Sequence, residues 1–133
     1  MPSSAPNRIS ELLKGQQFCL LTTLRKDGTS VPTPMWFVIE DETLYMATRG
    51  GSAKVKRIGR EDKVTIGPCT GGGQATGPQR PATATVLDAS EAARVESLLN
   101  ARYGLKRRLL LWGLKFARDK TEAHIAVRLN EQG

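Results

Sequence analysis

The residues best suited to chemistry lie together between positions 48 and 57. Thr48-Arg49-Gly50-Gly51-Ser52-Ala53-Lys54-Val55-Lys56-Arg57 reads as the end of a strand, a tight glycine turn and the start of a helix. The first N–H groups of a helix lack intrahelical partners, and the helix start carries a partial positive charge. Hydroxyls on Thr48 and Ser52 and cations on Arg49, Lys54, Lys56 and Arg57 surround that point. Lys54 and Arg57, three apart, share a helix face. Phosphate is the natural ligand of such a set. A solvated basic turn with an ordinary serine cap accounts for the same letters equally well.

Other patterns carry less. The window Gly71-Gly72-Gly73-Gln74-Ala75-Thr76-Gly77 resembles a phosphate loop only in its glycines. A dinucleotide fingerprint started at Gly71 meets Thr76 where glycine is needed, and a P-loop started at Gly72 meets Pro78 where lysine is needed. A flexible hairpin loop is the better reading. No serine has the context of a nucleophile elbow. His124, the one histidine, falls in an expected strand and reads as a sheet or surface residue rather than a base. Cys19 and Cys69 belong to no CxxC pair or Cys/His cluster, so no metal site is expected and both read as reduced, buried thiols. With no catalytic constellation, any enzyme chemistry has to come from a cofactor.

These residues sit in a chain of 133, which is one domain's worth, with residues 1–6 as a loose start. Twenty Lys and Arg against 13 Asp and Glu leave a net charge of +7. That balance draws anions: nucleic acid, anionic lipid or a small polyanion. Aromatics are 5% of the chain, too sparse for a base-stacking surface, and no nucleic-acid partner is expected. No apolar run approaches the ~20 residues of a membrane span, and the first residues do not form a secretory signal. A soluble, cytoplasmic protein is expected.

The elements that must position the site follow from residue type and period. Asn7 to Gly15 reads as a short helix capped by Asn7, with Ile9, Leu12 and Leu13 on one face. Phe18 to Leu24 is a strand, turned at Asp27-Gly28 into a return strand from Thr29 to Glu40. Pro32 and Pro34 cannot donate to a ladder, which marks the first half of the return strand as an edge or a bulge. Thr43–Thr48, Lys63–Cys69, Ala82–Leu87 and Glu122–Leu129 complete about six strands. Ser52 to Ile58 is a short helix. A longer one runs from Asp88 to Tyr103, with Asp88 and Glu91 as a capping box and Gly104 as its end. Leu105 to Asp119 is a second, basic helix that packs its apolar side on the barrel or on a partner. Hairpins make the sheet antiparallel, and six such strands close most naturally into a small β-barrel with peripheral helices.

Val31-Pro32-Thr33-Pro34-Met35-Trp36-Phe37-Val38-Ile39, then Leu44-Tyr45-Met46-Ala47-Thr48, then Ser52-Ala53-Lys54-Val55-Lys56-Arg57-Ile58 resembles the split β-barrel flavin/deazaflavin oxidoreductase family, related in fold to pyridoxamine-phosphate oxidase. The order and spacing of these segments over residues 8–130 carry the likeness. It implies a mainly β, split antiparallel barrel of the FMN-binding type. It also implies a homodimer with a cofactor groove between protomers and a coenzyme F420-dependent oxidoreductase acting on a small organic acceptor. FMN is the alternative cofactor, and a non-enzymatic basic cofactor-, nucleic-acid- or membrane-binding module the alternative function. By the resemblance, Thr33, Pro34, Met35 and Trp36 lie beside the tricyclic ring, with Pro68 and Cys69 also approaching it. Thr48, Arg49, Ser52, Lys54, Lys56 and Arg57 hold the phosphate. No residue is singled out as a catalytic proton donor.

Overall fold

A computed structural model describes residues 8–49, 53–104 and 122–130. Its seven strands are β1 (Cys19–Leu24), β2 (Ser30–Met35), β3 (Val38–Glu40), β4 (Thr43–Arg49), β5 (Lys63–Pro68), β6 (Arg80–Val86) and β7 (Glu122–Leu129). They form one antiparallel sheet in the order β2-β1-β5-β6-β7-β4-β3. The two edge strands, β2 and β3, are successive halves of one extended run. Only Trp36 and Phe37 separate them, so the sheet must curl until its edges meet at that bend.

This bend is why seven strands stand where the sequence suggested about six. Thr29 to Glu40 was expected as a single return strand. It instead changes partner, pairing with β1 up to Met35 and with β4 from Val38. β2 is an edge strand, as Pro32 and Pro34 require. The β1–β2 turn is also longer than the two residues expected. Arg25 N–H donates to the Thr29 carbonyl, and Gly28 sits at φ +89°, which glycine adopts without strain.

Strand alternation builds the core. Cys19, Leu21 and Thr23 of β1 point inward, with Met35 across the ladder and Ile66 on β5. Leu44 and Met46 of β4 and Ile125 and Val127 of β7 fill the other wall, while the small Ala82 and Ala84 of β6 leave room for them.

Helices close both ends. At the end where β1 begins, α1 (Ile9–Leu12) inserts Ile9 and Leu12. Its N-cap is Arg8, which makes no side-chain cap bond; the expected cap, Asn7, lies outside the described residues. The free Ser10 N–H is instead satisfied by the Glu42 carboxylate at 3.1 Å. At the opposite end α2 (Ala53–Arg60) buries Ile58. The third helix, α3 (Ala89–Tyr103), lies outside the barrel on β3, β4 and β7, burying Val95 and Leu99 one turn apart. Asp88 caps it by accepting the Ser90 N–H, whereas the Glu91 carboxylate pairs with Arg94 rather than closing a capping box. The basic helix expected over Leu105 to Asp119 lies outside the described residues.

Candidate functional site

The expected site residues fall into two groups at opposite ends of the barrel. Thr48 is the last residue but one of β4, and Lys54, Lys56 and Arg57 lie on α2, the element that follows. Met35, Trp36, Pro68 and Cys69 gather at the start of β1, because Cys19 pairs with Met35 on one side and Pro68 on the other. Thr33 and Pro34 lie between the groups on β2. Ser52 and the side chain of Arg49 are outside what is described.

At the α2 end, the first helical turn holds no acidic residue and the last holds Arg57 and Arg60. No carboxylate of the helix therefore offsets the positive field at its start. Lys56 is exposed, and Lys54 and Arg57 are half-buried. Arg57 is not a loose surface cation. Its Nε donates at 2.7 Å to the hydroxyl of Thr23, a fully buried β1 residue. Arg60 donates to the Leu24 carbonyl at 3.1 Å. Two arginines thus tie α2 to the last residues of β1. Thr48 lies on the inward-facing side of β4 with Leu44 and Met46, half-buried at the mouth that α2 covers.

At the other end the ladder alternates, so neighbours in sequence part company. Met35 points inward and belongs to the core cluster, so its side chain faces the barrel interior. Pro34 points outward, where the tip of the glycine-rich loop lies over it: a Cβ on Gly73 would meet the Pro34 ring at 3.4 Å. The same loop covers the end of β5. The Pro68 carbonyl accepts from Thr76 N–H at 3.0 Å and from the Gln79 amide at 3.1 Å, and Cys69 forms a bridge to Ala75. Gly67 lies so close beneath this loop that any Cβ there would collide with the Gln79 amide and the Pro78 carbonyl. Burial pushes the Cys69 thiol up from its ordinary range and the Cys19 thiol up to about 12, so neither is a ready nucleophile.

Trp36 is half-buried and stacks on Tyr103, with ring centroids 4.8 Å apart and planes 13° from parallel. Tyr103 was read from sequence only as the end of a helix. Its contact with Trp36 spans 67 positions and leaves no local signal. Behind it, Phe37 and Tyr103 line an open groove of about 1010 Å³ between α1, β3 and the end of α3. His124, expected in the sheet, is buried in β7 opposite Ala47 of β4, with Nε2 2.7 Å from a carboxylate oxygen of Glu96 on α3. Among the described residues, no group of three His, Cys, Asp or Glu could hold a metal, and no helix is long and apolar enough to cross a membrane.

From Val31, which pairs with Thr23 beside Arg57, to Trp36 is five residues of β2 and its exit, about 17 Å of extended chain. A ligand touching both ends is therefore elongated.

A curled antiparallel seven-stranded sheet closed by short helices defines the split-barrel class. The chain belongs to the pyridoxamine 5'-phosphate oxidase family, whose model matches residues 5–125. Among solved structures it is similar to the heme storage protein HutZ of Vibrio cholerae, at TM-score 0.67 and 16% identity over 94% of this chain and 89% of that one. An F420 reductase aligns at TM-score 0.56 and 20% identity, covering 98% and 97% of the two chains. An FAD-binding protein of Mesorhizobium loti aligns at 0.60 and 12%, covering 92% and 85%. These likenesses concern the fold. No curated protein matches the sequence.

Proposed function

We propose that the chain binds a flavin-type cofactor, coenzyme F420 in the first place, and acts with it as an oxidoreductase on a small organic acceptor. The observation that carries this reading is the separation of a basic end from an aromatic end along one edge strand, which suits a molecule with a tricyclic ring at one end and a phosphate further along its length. Lys54, Lys56 and the start of α2 hold the phosphate, and Arg57, its orientation set by Thr23, completes the corner. Thr33 and Trp36 orient the ring, and the barrel wall beneath it excludes water from one side. A bound deazaflavin supplies hydride-transfer chemistry that no side chain here provides.

FMN, with a tricyclic ring and a terminal phosphate monoester, is the second reading. Heme is less well served: the chain's one imidazole is buried and engaged by the Glu96 carboxylate. As the family resemblance implies, a second copy of the chain completes the groove.

The test is a pair of titrations, with coenzyme F420 and with FMN, in a Trp112→Phe background that leaves Trp36 as the only indole. Trp36 emission is expected to quench on binding, more tightly with F420. Replacing Lys54 and Lys56 together by alanine is expected to raise Kd at least fivefold with the fold retained. Absence of binding by either cofactor, or an unchanged Kd in the double variant, overturns the assignment.

A further inference from the structure

We infer that Tyr103 is a positioning residue for the cofactor ring, acting through Trp36; the inference rests on the reading of Trp36 as a ring neighbour. Trp36 and Phe37 are the two residues between β2 and β3, where the run leaves one ladder before joining the other. Tyr103 supplies what the ladder does not. Phe37 N–H donates to its hydroxyl at 2.9 Å. The hydroxyl has one proton to give, and two carbonyls stand ready for it, Phe37 at 3.0 Å and Gln17 at 2.9 Å. The same side chain thus bonds the bend with its oxygen and stacks on Trp36 with its ring.

Tyr103 is itself held in place. It is the last residue of α3, and the Gly104 N–H closes the helix end on the Asn100 carbonyl at 2.7 Å. Arg102 lays its guanidinium 4.6 Å from the Phe37 ring centroid and 5.1 Å from that of Tyr103, and donates to the Gln16 carbonyl at 2.6 Å. The end of an outer helix, the segment before β1 and the bend of the edge run are therefore joined at one point. With one indole face against Tyr103, the tilt of Trp36 is set by α3 and not by its own strand. A flat ligand meeting Trp36 meets a surface already oriented, which lowers the ordering cost of binding.

The experiment uses the Trp112→Phe protein with Tyr103→Leu and Tyr103→Phe. Tyr103→Leu removes the stacking ring. It is expected to weaken the near-ultraviolet dichroism of Trp36, to raise its quenching by acrylamide, and to raise the Kd for coenzyme F420 five- to tenfold. Tyr103→Phe restores the ring and is expected to return Kd to within threefold of the parent. Should Tyr103→Leu not fold, Tyr103→Met, which also lacks a ring, replaces it, with at least a threefold rise expected. Unchanged Trp36 spectra in the ring-deleted variant overturn the clamp. Changed spectra with unchanged Kd overturn the positioning role alone. If the parent binds no cofactor, the proposed function fails, while the spectra still decide whether Tyr103 sets Trp36.

Discussion

The thiol of Cys19 shows how completely burial controls a residue's chemistry. Buried at the start of β1 between Met35 of β2 and Pro68 of β5, it is pushed from 9.0 up to about 12. The folded chain thus keeps a proton that the unfolded chain releases near pH 9. Stabilisation from this group is complete below that pH and is lost as pH rises from about 9 toward 12, by up to about 1.4 kcal/mol per unit. Urea midpoints measured from pH ~8 to ~10 are expected to fall more steeply for the parent than for Cys19→Ala. Parallel curves would show that the thiol ionises freely in the fold.

At the scale of elements, α2 is a short helix with one fully buried side chain, Ile58, and too few residues to hold itself together. Its attachment to β1 comes from Arg57 and Arg60. Taken from sequence alone, Arg57 is an exposed charge whose loss leaves the fold intact. The Thr23 hydroxyl, with no access to solvent, changes that expectation. Arg57→Ala leaves a buried oxygen without its donor and is expected to cost about 1–3 kcal/mol. Lys56→Ala, on the exposed side, is expected to stay within about 0.5 kcal/mol. Chemical denaturation of the two variants decides the matter, and equal midpoints would remove the tie between α2 and β1. The β3–β4 turn shows a similar exchange. Asp41 and Glu42 both sit at positive φ, 52° and 58°, where glycine or asparagine is usual. Glu42 bears that strain while its carboxylate holds the start of α1.

The whole molecule combines a net charge of +7 with a short helix, α2, that carries Lys54, Lys56, Arg57 and Arg60 and no acidic residue. Such a field favours an anionic ligand but fixes no particular one. If the groove is completed by a second copy, sedimentation is expected to give twice the mass of one chain, and dilution to the monomer is expected to abolish cofactor binding. A monomer that binds with undiminished Kd would confine the site to one protomer.

Much of the framework is local and therefore legible in the letters. β-rich residue types mark β1, alternating residues mark β4, β6 and β7, Asp88 announces α3, and two prolines mark an edge, because each rests on backbone chemistry within a few residues. The basic strand-to-helix corner is local for the same reason. Tertiary structure alone decided that Thr29 to Glu40 changes ladders at Trp36 and Phe37, that Met35 and Pro34 face opposite ways, and that Arg57 is pinned to a buried hydroxyl 34 positions away. It alone brought Tyr103 against Trp36 and laid Gln79 over Gly67. Those contacts join residues distant in sequence, and their geometry exists only once the sheet has curled and its helices have docked.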